Sequence, residues 1–174
     1  MAYVTPTVRS VGDAVTAADY NIMANNAIAI RAAQVNLKST FVNAITFSTS
    51  STSFVDVTGM TVSITPTSAS SKVMVWWSVQ GHTVVAPWHI RLVRDATTIG
   101  EANDGTSGMA SLYNPDTTAG NLVSSQFLDS PATTSATAYK LQVRVSGATF
   151  RLNRRVADIS YQGSSIITVM EVPV

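Results

Sequence analysis

The chain has 174 residues, no cysteine and a formal net charge of +1. The absence of cysteine excludes disulfide bonds and thiolate chemistry. A charge this small argues against a general polyanion-binding protein, because nucleic-acid-binding proteins usually carry a concentrated surplus of basic residues. Charged residues make up 12% of the chain, about half the usual share, and Ser and Thr fill about a quarter of it. This composition suits β-strands and exposed turns, with either a surface buried against copies of the same chain or the neutral polar surface of a monomer.

The sequence predicts no membrane insertion. No stretch approaches the ~20 consecutive apolar residues that a bilayer-spanning helix needs. The segment Met1–Val8 lacks the basic and apolar regions of a secretory signal. We therefore expect the chain to fold in the cytoplasm in which it is made.

An extended arm and one helix are predicted at the N-terminus. Pro6 disfavours a helix over residues 1–12, because proline fixes its own φ and restricts the residue before it. Thr16 is a good N-cap residue, and Asp19 stands three positions later, as in a capping box. The following segment has abundant alanine and neither glycine nor proline, so we expect the helix to run to about Val35.

The predicted helix carries a narrow apolar seam with a spacing of three to four residues. Such a seam is typical of a helix that packs against another helix or a symmetry mate. Packing against the body of its own domain is an equally good interpretation. The candidate residues for this oligomer or anchor interface are Tyr20, Met23, Ala27, Ile30 and Leu37.

From Ser39 onward the apolar residues recur with a period of two, which predicts strands. The segment 72–80 is apolar on both faces, with Trp77 on one face and Met74 and Trp76 on the other. It is therefore a central strand or one whose outer face meets a partner subunit, and Trp76 joins the interface candidates. The predicted strands are 41–47, 58–65, 72–80, 88–94, 122–128, 138–145, 149–152 and 164–172.

Strands with turn signals between them predict an antiparallel β-sandwich of the jelly-roll or tumour-necrosis-factor-like kind. We expect an N-terminal region at residues 1–38, with the arm and helix, and a β-sandwich domain at residues 39–174. Residues 101–120 are rich in Gly, Asn, Asp and Thr and are predicted to form a long exposed loop, as are residues 130–137. The candidate contact residues in the longer loop are Asn103, Asp104, Tyr113 and Asn114.

No catalytic or metal-binding motif is evident in the sequence. His82 and His89 lack a carboxylate or thiol cluster that would complete a metal site, so we interpret both as packed or solvated. The nucleophile-elbow and phosphate-loop motifs do not occur. Paired carboxylates that meet only in space stay an open alternative. We expect no enzyme activity, no metal and no cofactor. The basic residues Arg151, Arg154 and Arg155 form a solvated turn or face a negatively charged surface.

Two segments resemble proteins of tailed bacteriophages. The run Phe127–Thr134 (FLDSPATT), followed by Tyr139-Lys140 and a terminal apolar strand ending Met170-Glu171-Val172, looks like the β-rich domains that close many tail-fibre and head-decoration proteins. The opening Val11–Asn21 (VGDAVTAADYN) is similar to the N-terminal segments of many small phage virion proteins, where it precedes a β domain and helps to seat it.

The resemblance implies a non-enzymatic structural protein of the virion, assembled in the host cytoplasm. It further implies a homotrimeric, tail-fibre-like surface appendage. Its partners would be its own copies, other virion proteins of the tail or capsid, and a host cell-surface glycan or protein, without nucleic acid. The main alternative is a capsid decoration, or cement, protein that stabilises the shell. A tail-associated carbohydrate-active enzyme is a remote third interpretation.

Overall fold

The computed structural model describes residues 4–5, 12–32, 35–102, 104–116 and 120–174, and it describes helix side chains as far as residue 28. The chain divides into two compact units, Met1–Val35 and Asn36–Val174. A strand begins at Leu37, so Leu37 and Lys38 are strand residues rather than a continuation of the N-terminal helix. No helix in the described part of the chain has the length and apolar character that crossing a membrane requires.

The first unit contains the helix α1 (Ala17–Ala32), which starts at the predicted capping box. The Thr16 amide donates to Asp19 Oδ2 over 2.7 Å, and the Asp19 amide donates back to Thr16 Oγ1 over 3.4 Å. The buried Asn26 side chain holds the backbone of Val4 with two hydrogen bonds of 2.9 and 2.8 Å. The arm is therefore attached to the helix at Val4 through a side-chain amide.

The described residues of the second unit form eleven strands in two antiparallel sheets. The strands are β1 (Leu37–Val42), β2 (Ser48–Thr49), β3 (Val55–Ile64), β4 (Lys72–His82), β5 (Trp88–Arg94), β6 (Thr97–Ile99), β7 (Ala110–Leu112), β8 (Asn121–Asp129), β9 (Thr137–Val145), β10 (Phe150–Leu152) and β11 (Ser165–Val172). Sheet A has the order β1-β11-β4-β8, and β10 and β2 continue it beside the end of β4. Sheet B has the order β3-β9-β5, and β6 and β7 both pair with the remaining edge of β5.

This strand order is that of a jelly roll. We leave out the short strands β2 and β10, count β6 and β7 as one strand, and renumber the remaining strands 1 to 8 along the chain. Sheet A, β1-β11-β4-β8, then has the order 1-8-3-6, and sheet B, β3-β9-β5 followed by β6 and β7, has the order 2-7-4-5. Two four-stranded sheets connected in this way wind as two Greek keys. The predicted β-sandwich of jelly-roll kind is therefore confirmed.

The core lies between the two sheets and is built from alternate residues of each long strand. Trp77, Trp88, Tyr139 and Phe150 are its largest fully buried side chains. The rings of Trp88 and Phe150 lie 4.9 Å apart, centroid to centroid. Gly81 of β4 lies directly against Phe150, because a Cβ atom there would fall 2.2 Å from the ring. The strand passes the aromatic core only because residue 81 has no side chain.

One strand prediction and one loop prediction were wrong in detail. The predicted strand 41–47 is displaced, since β1 spans Leu37–Val42 and pairs with β11 from Leu37↔Met170 to Val42↔Ser165. The predicted loop 101–120 contains β7, because Met109 donates its amide to the Ile90 carbonyl over 2.7 Å. Gly108 makes this approach possible with a φ of +64° and a position against that same carbonyl.

Candidate interaction surfaces

The centre of the outer face of sheet A carries no charged side chain and is largely apolar. Cross-strand partners in an antiparallel sheet point to the same side, so the registers of β1, β11, β4 and β8 align their outward residues in rows. The three central rows are Leu37–Met170–Met74–Leu128, Ser39–Thr168–Trp76–Gln126 and Phe41–Ile166–Ser78–Ser124. None of these side chains is charged. We call these twelve residues the apolar face.

Several large side chains of the apolar face are exposed in the single chain. Phe41 is 62% exposed and Leu37 is 48% exposed. Trp76 is half-buried and borders a groove of about 380 Å³ that Ile166 and polar residues of β4, β8 and β11 also line. The prediction that Trp76 and Trp77 point to opposite sides is correct, since Trp77 is 2% exposed and belongs to the core.

The helix residues predicted to form a seam are largely exposed within the described structure. Tyr20 is 64% exposed, Met23 is 54% exposed, and Ala27 is also exposed. The side chain of Ile30 lies outside the described residues. Leu37 does not belong to this helix at all, because it is the first residue of β1 and lies on the apolar face. The seam prediction therefore divides between two surfaces, α1 and sheet A.

The outer face of sheet B is polar and internally paired. Asp56, Gln142 and Arg91 are cross-strand neighbours, joined by hydrogen bonds of 2.6 Å from Gln142 to Asp56 and 2.8 Å from Arg91 to Gln142. Lys140 completes the set with an ion pair of 2.8 Å to Asp56. The hydrogen bonds from Lys140 and then Gln142 lower the pKa of the Asp56 carboxyl. The Arg91 guanidinium also stacks over Phe54, 4.3 Å from the ring centroid.

Asp104, one of the predicted contact residues, stands at a turn. Asn103 lies outside the described residues. The Asp104 carboxylate accepts hydrogen bonds from the amides of Thr106 and Ser107, at 2.9 and 2.8 Å, and from the Ser107 hydroxyl. These bonds, led by those of Ser107, lower the pKa of Asp104. The carboxylate therefore stabilises the loop that carries it.

The other two predicted contact residues differ in what they offer to a partner. Asn114 uses its amide group within the chain: its nitrogen donates to Asn121 Oδ1 and its oxygen accepts from the Asp116 amide, both over 2.9 Å. Tyr113 presents a side chain that is 56% exposed. Of the four loop candidates, Tyr113 is the residue whose described side chain is available to an external surface.

The buried side chain of His82 connects two loops by hydrogen bonds, a role that could not be predicted from the sequence. Its Nδ1 accepts a hydrogen bond of 3.0 Å from the Val156 amide, so the proton sits on Nε2 and is donated to the Asp116 carbonyl over 2.6 Å. The ring thereby fixes two loops at one end of the sandwich. His89 is only half-buried, next to Ser111 Oγ at 2.6 Å, and its pKa is lowered by burial and then by the charge of Arg144. Both histidines are packed, in line with the interpretation from sequence.

The three arginines differ in their surroundings within the described structure. Arg154 donates to the Ile45 carbonyl over 3.1 Å, and Arg155 binds Asp158 with two hydrogen bonds of 2.9 and 2.6 Å. Arg151 lies in β10, opposite His82 of β4. The guanidinium groups of Arg154 and Arg155 are thus engaged within the chain.

Asp129, in the FLDSPATT run, is a buried polar anchor. Asp129 accepts two hydrogen bonds from Arg94, at 2.8 and 2.9 Å, and one from the Tyr139 hydroxyl at 2.7 Å. Burial, and then the bond to Asp129, raises the pKa of Tyr139. Since Asp129 belongs to sheet A and both partners belong to sheet B, this cluster joins the two sheets. Asp129 of the FLDSPATT run therefore has a structural role.

Glu171 holds the opposite side of the same end of the sandwich. Its carboxylate accepts hydrogen bonds from the Thr67 amide at 2.8 Å, the Thr67 hydroxyl at 2.6 Å and the Asn36 side chain at 3.0 Å. Burial alone would raise the pKa of this carboxyl, but the hydrogen bonds outweigh burial and lower the pKa to about 2. Among the described residues, no group of three His, Cys, Asp or Glu side chains could hold a metal ion.

Comparison of the sequence with protein-family models finds no match, and comparison with curated proteins finds no match either. What the geometry defines is a class of protein: a jelly-roll β-sandwich with a charged outer face on sheet B and an outer face on sheet A whose centre is uncharged and largely apolar.

Proposed function

We propose that the chain is a non-enzymatic structural protein of a tailed-bacteriophage virion, a trimeric surface appendage of the tail-fibre kind. The observation that carries the proposal is the apolar face of sheet A. A sheet face that stays in water is normally polar, and a contiguous exposed apolar patch marks an interaction surface. The proposed use of this surface is contact between copies of the chain.

The composition of the apolar face favours identical partners. Its twelve residues include no charged side chain, so copies can meet without burying an unpaired charge. A head-to-tail contact closes into a ring when the rotation between copies is 120°, which gives a trimer. The trimeric state and the virion location come from the resemblance of the FLDSPATT run and the VGDAVTAADYN opening to phage proteins.

A binding role suits the polar groups that the structure describes. The two histidines and Asp104 are engaged in hydrogen bonds within the chain. Tyr113 extends from the loop between β7 and β8 and is the proposed point of contact with a host glycan or protein. The helix α1, with Tyr20 and Met23 exposed, is the proposed anchor on another virion protein.

The oligomeric part of the proposal is tested by sedimentation equilibrium of the full chain. A mass three times that of the 18.4 kDa chain is expected at micromolar concentration. A monomer at every accessible concentration would contradict the proposed use of the apolar face.

The location is tested by the copy number of the chain in purified particles, measured by quantitative mass spectrometry against the major capsid protein. A ratio of a few per cent or less is expected for a tail appendage. A ratio of the same order as the capsid protein would instead indicate a head decoration protein. Absence from the particle would overturn the virion assignment altogether.

A further inference from the structure

Among the strands that the structure describes, β8 is an edge strand of sheet A, paired with β4 on one side only. Its nine residues pair with β4 in one continuous register, from Val73↔Asp129 to Gly81↔Asn121. The three-residue strand β7 belongs to sheet B and contacts β8, but no backbone hydrogen bond joins β7 and β8 in the described part of the chain. Within the described residues, no strand is hydrogen-bonded to the far side of β8, which leaves that side for a further strand.

The other sheet edges carry protection against such pairing. The strand β3 has a bulge between Asp56 and Thr61, with Gly59 at a φ of +85°. The edge of β1 is held against β3, since Thr40 Oγ1 donates to the Thr61 carbonyl over 2.8 Å. The strands β6 and β7 have three residues each. Short strands, bulges and covered edges are the usual devices that prevent edge-to-edge pairing.

The strand β8 has none of these devices. Its sequence, NLVSSQFLD, contains no proline and no lysine, and its one charged residue is Asp129 at the end. Asp129 is buried and bound to Arg94 and Tyr139, so its charge does not guard the edge. An unguarded regular edge of nine residues is a template for main-chain hydrogen bonding.

We propose that β8 pairs antiparallel with β8 of a second copy of this chain, about a two-fold axis at Ser125. This contact would join two A sheets into one continuous sheet, β1-β11-β4-β8 followed by the same strands of the second copy in reverse order. It uses the edge of the sheet, whereas the proposed trimer uses its face, and neither contact requires the other.

The sequence of β8 is self-complementary in this register. Pairing about Ser125 opposes residues whose numbers sum to 250, so every pair points to the same side of the sheet. Polar residues then meet polar residues and apolar residues meet apolar residues at every position. The pairs are Asn121–Asp129, Leu122–Leu128, Val123–Phe127, Ser124–Gln126 and Ser125–Ser125.

Neighbouring registers lose this match. A shift that centres the axis on Ser124 opposes Leu122 to Gln126, and one that centres it on Gln126 opposes Ser124 to Leu128. If the residue numbers of opposing residues summed to one more or one less, an even-numbered residue would oppose an odd-numbered one. The two side chains would then point to different faces of the sheet. The Leu122–Leu128 pair matters most, because Leu122 is 67% exposed and Leu128 is 43% exposed in the single chain. Their contact across the axis removes apolar surface from water.

Register-specific cross-linking tests the proposal, and the chain suits it because it contains no cysteine. In the proposed pairing, Ser125→Cys opposes its own copy at a cross-strand distance that a disulfide can close. Mild oxidation of the full-length variant under native conditions should give a covalent dimer on a non-reducing denaturing gel. The matched control is Ser124→Cys, which faces Gln126 of the second copy and should give at least tenfold less dimer.

A second measurement guards against a disturbance caused by Ser125→Cys. A mixture of the Ser124→Cys and Gln126→Cys variants should give the covalent heterodimer, while each variant alone gives little. If Ser125→Cys forms no more dimer than Ser124→Cys, and the mixture no more than its components, the edge pairing is wrong. The trimer is measured separately, by sedimentation equilibrium. The edge contact can therefore be found in a chain that forms no trimers, and trimers can be found in a chain that shows no edge contact.

Discussion

The two outer faces of the sandwich have the same strand geometry and opposite chemistry. On sheet B, Asp56, Gln142 and Arg91 stand side by side and bind one another. At the corresponding places on sheet A stand Trp76, Ile166 and other uncharged side chains. In both sheets the outward residues of each strand alternate with buried residues. The fold alone therefore requires neither a charged nor an apolar outer face.

The difference indicates how each face is used. On sheet B the charged groups are satisfied within the chain, and Lys140 and Asp56 need no external partner. On sheet A, side chains such as Phe41 stay 62% exposed until something covers them. The acidic residues of sheet A are kept off this face: Asp129 and Glu171 are buried and turned to the end of the sandwich. In the proposed function, sheet B stays in water and the apolar face of sheet A is covered by another copy of the chain.

The largest effect is expected where the two sheets are joined. Asp129→Ala leaves the Tyr139 hydroxyl and the Arg94 guanidinium without their buried acceptor, so we expect a loss of about 3–5 kcal/mol in the free energy of unfolding, measured by urea denaturation. The matched control is Asp56→Ala on the outer face of sheet B. Its ion pair with Lys140 has the same length of 2.8 Å, but the Asp56 side chain is 54% exposed against 7% for Asp129. We expect a loss of less than about 1 kcal/mol for the control, and equal losses would contradict the distinction.

The next effect concerns assembly. Trp76→Glu places a charge in the centre of the apolar face and should weaken self-association roughly 100-fold or more, because central aromatic residues commonly dominate an interface. Sedimentation equilibrium measures the shift, and an unchanged β-type circular dichroism spectrum shows that the fold persists. Gln142→Glu introduces the same charge at the centre of sheet B and should leave the mass unchanged. A trimer that survives Trp76→Glu, or one that Gln142→Glu dissociates, would reverse the assignment of the faces.

The period-two pattern of the sequence was enough to predict the sandwich, because each long strand buries alternate side chains. It also placed Trp76 and Trp77 on opposite sides of one strand, as the structure has them. The pattern failed at Leu37, which continues the helical spacing from Ile30 but belongs to β1. Spacing alone does not show where a chain leaves one element and starts another, and here pairing with Met170 of β11 decides.

The site was harder to predict than the fold. The outer rows of sheet A join residues of four strands far apart in sequence, so no local motif could show that they form one surface. The role of His82 depends on Val156 and Asp116, whose backbone groups carry no sequence signature. The FLDSPATT run, which contains Asp129, and the nearby Tyr139 were visible in the sequence. Their role in joining the two sheets required the structure.

The smallest of these effects follows from the acidic group that sheet A turns away from its apolar face. The pKa of Glu171 is about 2 in the folded chain, against an ordinary value of 4.5, because Thr67 and Asn36 donate to the carboxylate. A lowered folded pKa adds stability that is fully present above pH 4.5 and is lost as the pH falls through 2. Over this pH range the free energy of unfolding of the unmodified chain should fall by on the order of 2 kcal/mol more than that of the Glu171→Gln variant, as measured by urea denaturation at each pH. Thr67→Val, which removes one donor and keeps the side-chain shape, should give an intermediate slope. Parallel pH profiles for all three proteins would show that Glu171 does not anchor this end of the sandwich.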